Sequence, residues 1–142
     1  MGASGADYVK YIGTWNANDD IKAGRELVES FKKKYNDDYY GQTTYSAIQL
    51  LAAGINQAKT SDPVKVAFAM EGQKLKSVNG EIEMRKTDHQ LQQPLYLNTW
   101  SKVNGKDVKF DQENTGYGWK TEQKIDSYVA AQPTSCNMKR PS

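Results

Sequence analysis

The chain has 142 residues, 37% of them hydrophobic and 25% charged, with a mean hydropathy of -0.82 and a pI near 8.5. With 19 Lys and Arg against 17 Asp and Glu the net charge is only +2, which excludes a general nucleic-acid polycation. No window approaches the ~18 apolar residues of a membrane span, and the single cysteine, Cys136, excludes an internal disulfide or a CxxC pair.

The length suits one ordinary domain, and nine Tyr, three Trp and three Phe are too many aromatics for a disordered chain of this polarity. Met1 to Asp7 has neither a basic nor an apolar stretch, so no secretory signal is expected to begin here. Tyr8 to Trp15, β-branched and aromatic, reads as a strand that ends in the polar turn Asn16 to Asp20.

From Asp20 to Tyr35, Ile21, Leu27, Val28, Phe31 and Tyr35 recur at mostly helical spacing, with Asn18, Asp19 or Asp20 expected to cap the helix. Lys32-Lys33-Lys34 reads as a solvated helix C-terminus rather than a phosphate patch. A second helix is expected over Thr43 to Lys59. Its broad apolar face (Tyr45, Ile48, Leu51, Ala52, Ile55 and Ala58, plus Ala47 and Leu50) marks it as the best-buried element. Asp62-Pro63 then opens a short third helix that ends at Gly72.

Past Gly72 the pattern changes. Ser77 to Gly80 reads as a turn, and Glu81 to Arg85 alternates at the strand period of two. Leu95 to Val103 is the clearest strand. Asn104-Gly105 predicts a hairpin back through Asp107 to Phe110. Beyond Phe110 the pattern thins until a short helix around Ile125, Tyr128 and Val129, and Pro133 to Ser142 reads as a tail.

Chemistry-bearing motifs are sparse. His89 is the lone histidine, and Asp88-His89 with Glu81 and Glu83 forms a weak candidate metal cluster, so no metal site is assigned. Glu81 and Glu83 share a strand face about 7 Å apart, a spacing that a paired-carboxylate hydrolase could use but that any half-exposed strand shows. Such an enzyme would lose its turnover on Glu83→Gln. No GxSxG, Walker A or GxGxxG sequence occurs. No enzyme and no cofactor is expected.

Several segments together resemble a known family. Thr44-Tyr45-Ser46-Ala47-Ile48-Gln49-Leu50-Leu51-Ala52 with Ser61-Asp62-Pro63, the helix end Phe31 to Tyr35, Gly80 to Arg85 with Asp88-His89-Gln90, and Gln93-Pro94-Leu95-Tyr96 are similar to the branched-chain amino acid substrate-binding proteins of ABC importers. Gly116 to Trp119 and Cys136 to Pro141 are similar to the ending of one subgroup. The resemblance covers about Tyr8 to Pro141.

The resemblance implies an α/β chain with an incomplete type 1 periplasmic binding protein fold, parts of two Rossmann-like lobes joined by crossover strands. Residues 1–15 would enter along a crossover strand, 16–93 would belong to the first lobe, and 94–142 would form a second crossover, hairpin and tail of the other lobe. It implies capture of a branched-chain amino acid or similar metabolite between the lobes, delivery to an ABC permease, and a periplasmic location, without direct membrane insertion. A ligand-sensing domain of a receptor on the same fold is the alternative. The expected cleft-lining residues are Trp15 and Asn16 at the crossover end and Tyr40 and Gln42 in the loop entering the second helix. Gln42 stands where many relatives have an aromatic, which argues against a strictly aliphatic ligand. As a piece of such a protein, the chain is expected to bind weakly by itself.

Overall fold

The computed structural model describes residues 1–141. After a 3₁₀ turn at Gly2–Gly5, the chain forms β1 (Lys10–Gly13), α1 (Lys22–Tyr35), α2 (Gln42–Ala58), α3 (Pro63–Met70), β2 (Lys74–Ser77), β3 (Gly80–Met84), β4 (Leu91–Gln92), β5 (Leu95–Lys102), β6 (Tyr117–Ile125) and α4 (Ser127–Ala130). Two antiparallel three-stranded sheets result, one in the order β1-β5-β6 and the other β2-β3-β4. The predicted tail adopts no regular element as far as Pro141, and its last residue, Ser142, lies outside the described residues.

The helices obey their local signals unevenly. At α3 the expectation holds: Pro63 sits in the first turn and the Asp62 Oδ1 accepts the Lys65 N–H at 2.9 Å. At α1 it fails, because the cap position is Ile21 and no side chain caps the helix. Asn18 and Asp19 are used over longer distances. Asn18 Oδ1 accepts the Lys109 and Phe110 amides at 2.8 Å each, and Asp19 accepts the Tyr96 hydroxyl at 2.8 Å.

Helix α2 is not the best-buried element. Its inner face consists of Gln42, Ser46, Leu50 and Gly54, packed toward α3 and β2. Ile48 is 60% exposed, and Tyr45, Leu51 and Ile55 are exposed along the same side. The apolar stripe and the packed stripe are therefore different faces, because small residues at Ser46 and Gly54 permit the close approach. A Cβ on Gly54 would lie 2.5 Å from Met70 Cγ.

The predicted hairpin is replaced by a loop. Asn104 Oδ1 accepts the amides of Lys106, Asp107 and Val108, winding the chain into a tight turn. With Asn18 holding the next two amides, Asp107 to Phe110 has no free backbone N–H to offer a partner strand. Strand β5 pairs instead with β6, from Leu95 opposite Ile125 to Lys102 opposite Tyr117, with a register shift at Leu97/Asn98. That strand was readable: Tyr117, Trp119, Thr121, Gln123 and Ile125 alternate with Gly118, Lys120, Glu122 and Lys124.

Two small cores serve the two sheets. Val28, Leu50, Val66, Val78 and Ile82 are buried among α1, α2, α3 and β3, whereas Trp100 and Val108 are buried against the β1-β5-β6 sheet. Tyr96, fully buried, joins them: its hydroxyl donates to Asp19 Oδ2 and to the Asn79 carbonyl, both at 2.8 Å. Burial, with Asp19 beside it, raises the Tyr96 pKa, so the phenol stays a donor.

Candidate functional site

Between the β1-β5-β6 sheet and the loop joining α1 to α2 lies a cavity of about 260 Å³. The sheet side contributes Tyr11 and Trp119, whose rings pack at 4.7 Å. The helix side contributes Trp15 and Tyr39, edge to face at 5.6 Å, with Tyr40 beside them. Phe110, Asp111 and Gln112 close a third side. The alternation of β1 and β6 aims Tyr11 and Trp119 to the same face of the sheet.

All four residues expected at a cleft line this cavity: Trp15, Asn16, Tyr40 and Gln42. Their roles divide. Asn16 is buried, and its Nδ2 donates to Asn98 Oδ1 at 3.1 Å, the Trp119 carbonyl at 3.0 Å and Thr121 Oγ1 at 2.9 Å. Its Oδ1 accepts the Asn18 amide. These bonds bind the end of β1 to β5 and β6 at the register shift.

Gln42, 3% exposed, is likewise committed. Its Oε1 accepts the Thr14 hydroxyl at 3.0 Å, and its Nε2 donates to Ser46 Oγ and Gln93 Oε1. Asn79 Nδ2 donates to the Thr14 carbonyl and to Gln93 Oε1. The two passages of chain between the sheets, at Thr14 and at Gln93, are thus tied together. Buried polar groups paired in this way fix one geometry, although Asn79 Oδ1 is buried without a partner among the described residues. Trp15 and Tyr40 keep their faces for the cavity, and Tyr40 is 60% exposed.

Sequence reasoning missed Tyr11, Tyr39, Trp119 and Asp38. Asp38 Oδ2 accepts the Glu113 amide at 2.6 Å and its Oδ1 is ion-paired with Lys32, which pins the α1–α2 loop to the loop before β6. Burial opposes ionisation of Asp38, but the Glu113 amide and Lys32 outweigh it and hold the carboxyl below its usual range. Burial raises the pKa of Tyr11, Tyr39 and Tyr40, so all three present neutral hydroxyls.

The weak acidic cluster does not converge. Glu83 pairs with Lys74, Asp88 with Arg85, and His89 Nε2 lies 2.9 Å from Glu71. Among the described residues no three His, Cys, Asp or Glu side chains gather as a metal site. Cys136 is free and exposed.

The profile of the periplasmic binding protein family matches residues 1–114, and the chain belongs to that family. Solved structures share the fold. A leucine-, isoleucine-, valine-, threonine- and alanine-binding protein from Brucella ovis, in a closed conformation, superposes with a TM-score of 0.83 at 23% identity, covering 99% of this chain and 37% of that one. A solute-binding protein of an ABC transporter from Rhodopseudomonas palustris BisB5, in complex with 3,4-dihydroxybenzoic acid, gives 0.75 at 20% identity, over 89% and 33%. An amino acid ABC transporter substrate-binding protein from Pseudomonas fluorescens Pf-5 gives 0.62 at 21%, over 83% and 31%. No curated protein matches the chain.

The family expected from the sequence is confirmed, and the fold is a part of the type 1 periplasmic binding protein fold. The chain spans about a third of the length of the structures it matches. Substrate binding, not catalysis, is the family's role. Among the described residues no helix is long and apolar enough to cross a membrane.

Proposed function

We propose that the chain supplies one part of the solute-binding component of an ABC importer, which captures an amino acid or a related small metabolite and presents it to the membrane permease from the periplasm. The observation that carries this reading is the aromatic cavity of about 260 Å³ set between the β1-β5-β6 sheet and the α1–α2 loop, in a fold whose solved members include amino-acid and aromatic-acid binders. A ligand held between two bodies gains contacts only when they close, so binding shifts the population toward the closed form. The Thr14, Gln42, Asn79 and Gln93 bonds lie where the chain passes between the sheets. They would keep the pivot ordered while the walls move. No bond of the ligand is broken.

The rest of the fold would complete the ligand's surroundings. Micromolar affinity corresponds to about -8 kcal/mol and millimolar to about half of that. A chain offering part of the walls is therefore expected to bind leucine, isoleucine, valine or small aromatic acids with a dissociation constant on the order of 1 mM. Calorimetry and amide chemical shifts on the 142-residue chain test this. Micromolar binding would show a self-sufficient site and overturn the partial reading. Silence from every ligand at millimolar concentration would overturn the solute-binding reading of the cavity.

A further inference from the structure

The lining of the cavity carries a chemical bias that narrows the class of ligand. Six aromatic residues line the space: Tyr11, Trp15, Tyr39, Tyr40, Phe110 and Trp119. The charged side chains that line it are Asp38 and Asp111. Among the described residues no lysine, arginine or histidine does so. An aliphatic side chain would pack on these rings but leave the carboxylates without a partner from the ligand. A ligand carboxylate placed here would meet the like charge of Asp111 beside the Lys32-paired Asp38, with no cation among the lining residues described.

The acceptors are not equally available. Asp38 is occupied by Lys32, the Glu113 amide and the Tyr40 hydroxyl. Asp111 spends Oδ2 on the Gly116 amide at 2.9 Å, and its Oδ1 takes no hydrogen bond among the described residues. Gln112 Oε1 already accepts the Trp119 indole N–H at 2.9 Å. Asp111 is thus the lining carboxylate with capacity to spare beside a set of π faces.

Resting on the solute-binding reading above, we infer that this wall selects a small planar aromatic ligand that turns a hydrogen-bond-donating substituent, a hydroxyl or an amino group, toward Asp111. Offset and edge-to-face packing against Tyr39, Tyr40 and Trp15 holds the ring. Any acid group on the ligand faces away from this wall. The donor substituent on Asp111 makes a charge-assisted hydrogen bond in a partly enclosed space.

The test is a matched ligand series on the 142-residue chain: 4-hydroxybenzoate, 4-aminobenzoate, 4-methoxybenzoate, terephthalate and leucine, read by calorimetry and by the indole N–H shifts of Trp15 and Trp119. The hydroxyl and amino compounds are expected to bind about tenfold tighter than the methoxy compound, as a hydrogen bond to a charged acceptor requires. Terephthalate, with a second carboxylate in place of the donor, is expected to bind weakest of the aromatics. Asp111→Asn should raise the affinity for terephthalate relative to 4-hydroxybenzoate. If that variant melts early, the series on the unaltered chain decides. Equal affinity for the hydroxyl and methoxy compounds overturns the inference. So does binding of leucine with the aromatics silent, which leaves the solute-binding reading standing. Silence from all five overturns that reading itself.

Discussion

Asp38 shows how a single residue can hold two loops at once. Its bonds to the Glu113 amide and to Lys32 lower its pKa in the folded chain. A carboxyl whose folded pKa is depressed stabilises the fold fully above its unfolded value, about 3.9, and loses that contribution as the pH falls through the lower folded value. Acid titration followed by tyrosine and tryptophan fluorescence should therefore show the 36–41 loop loosening below about pH 4. Asp38→Asn should flatten that part of the profile and leave neutral-pH behaviour less changed than a buried apolar deletion does. Residue type alone gave no sign of this role, since Asp37-Asp38 sits in an ordinary polar turn. Only the approach of Glu113, 75 residues away in sequence, reveals it.

At the scale of elements, the decisive contacts are between backbones. In α1, Gly24 faces the β2–β3 turn so closely that a Cβ there would lie 2.6 Å from the Val78 carbonyl oxygen. Alanine improves helix propensity by about 1 kcal/mol, yet the clash is with main chain and cannot be relieved by a rotamer change. Gly24→Ala is expected to destabilise the chain by about 1–3 kcal/mol net, measured by urea unfolding. Gly54→Ala should cost less, because the nearest atom there is Met70 Cγ on a flexible side chain. Helix periodicity located α1 and α2 to within two residues at either end. It could not say which turn each helix would touch. The strand β6 is absent from the expected elements even though its alternation is present, because the pattern beyond Phe110 reads as thinning. With β6 went Trp119 and one wall of the cavity.

For the whole molecule, the uncovered apolar face of α2 is the largest departure from expectation. Ile48, 60% exposed, lies on it, whereas Leu50, 2% exposed, faces the core. Ile48→Glu is expected to change the stability of the chain by no more than about 0.5 kcal/mol, against about 2–5 kcal/mol for Leu50→Ala. Urea midpoints for the pair measure the difference. If the two costs proved equal, the face holding Ile48 would be packed in solution, contrary to its exposure here.

By itself, the sequence determined the kinds of element and their order through most of the chain, because hydrophobic period, the Asp62-Pro63 cap and the ordered motifs are local properties. It also determined the family, since motif order survives where no single motif is diagnostic. It brought Trp15, Asn16, Tyr40 and Gln42 to one place, though not to one role. Tertiary structure decided that Asn16 and Gln42 are spent inside polar networks while Trp15 and Tyr40 keep free surface. It also decided which face of α2 is packed and that β5 pairs with β6 rather than with Asp107 to Phe110. The physical reason is the same in each case. A polar side chain or a strand edge bonds to whatever the folded chain brings within about 3 Å, and those partners lie at sequence separations that no local pattern encodes.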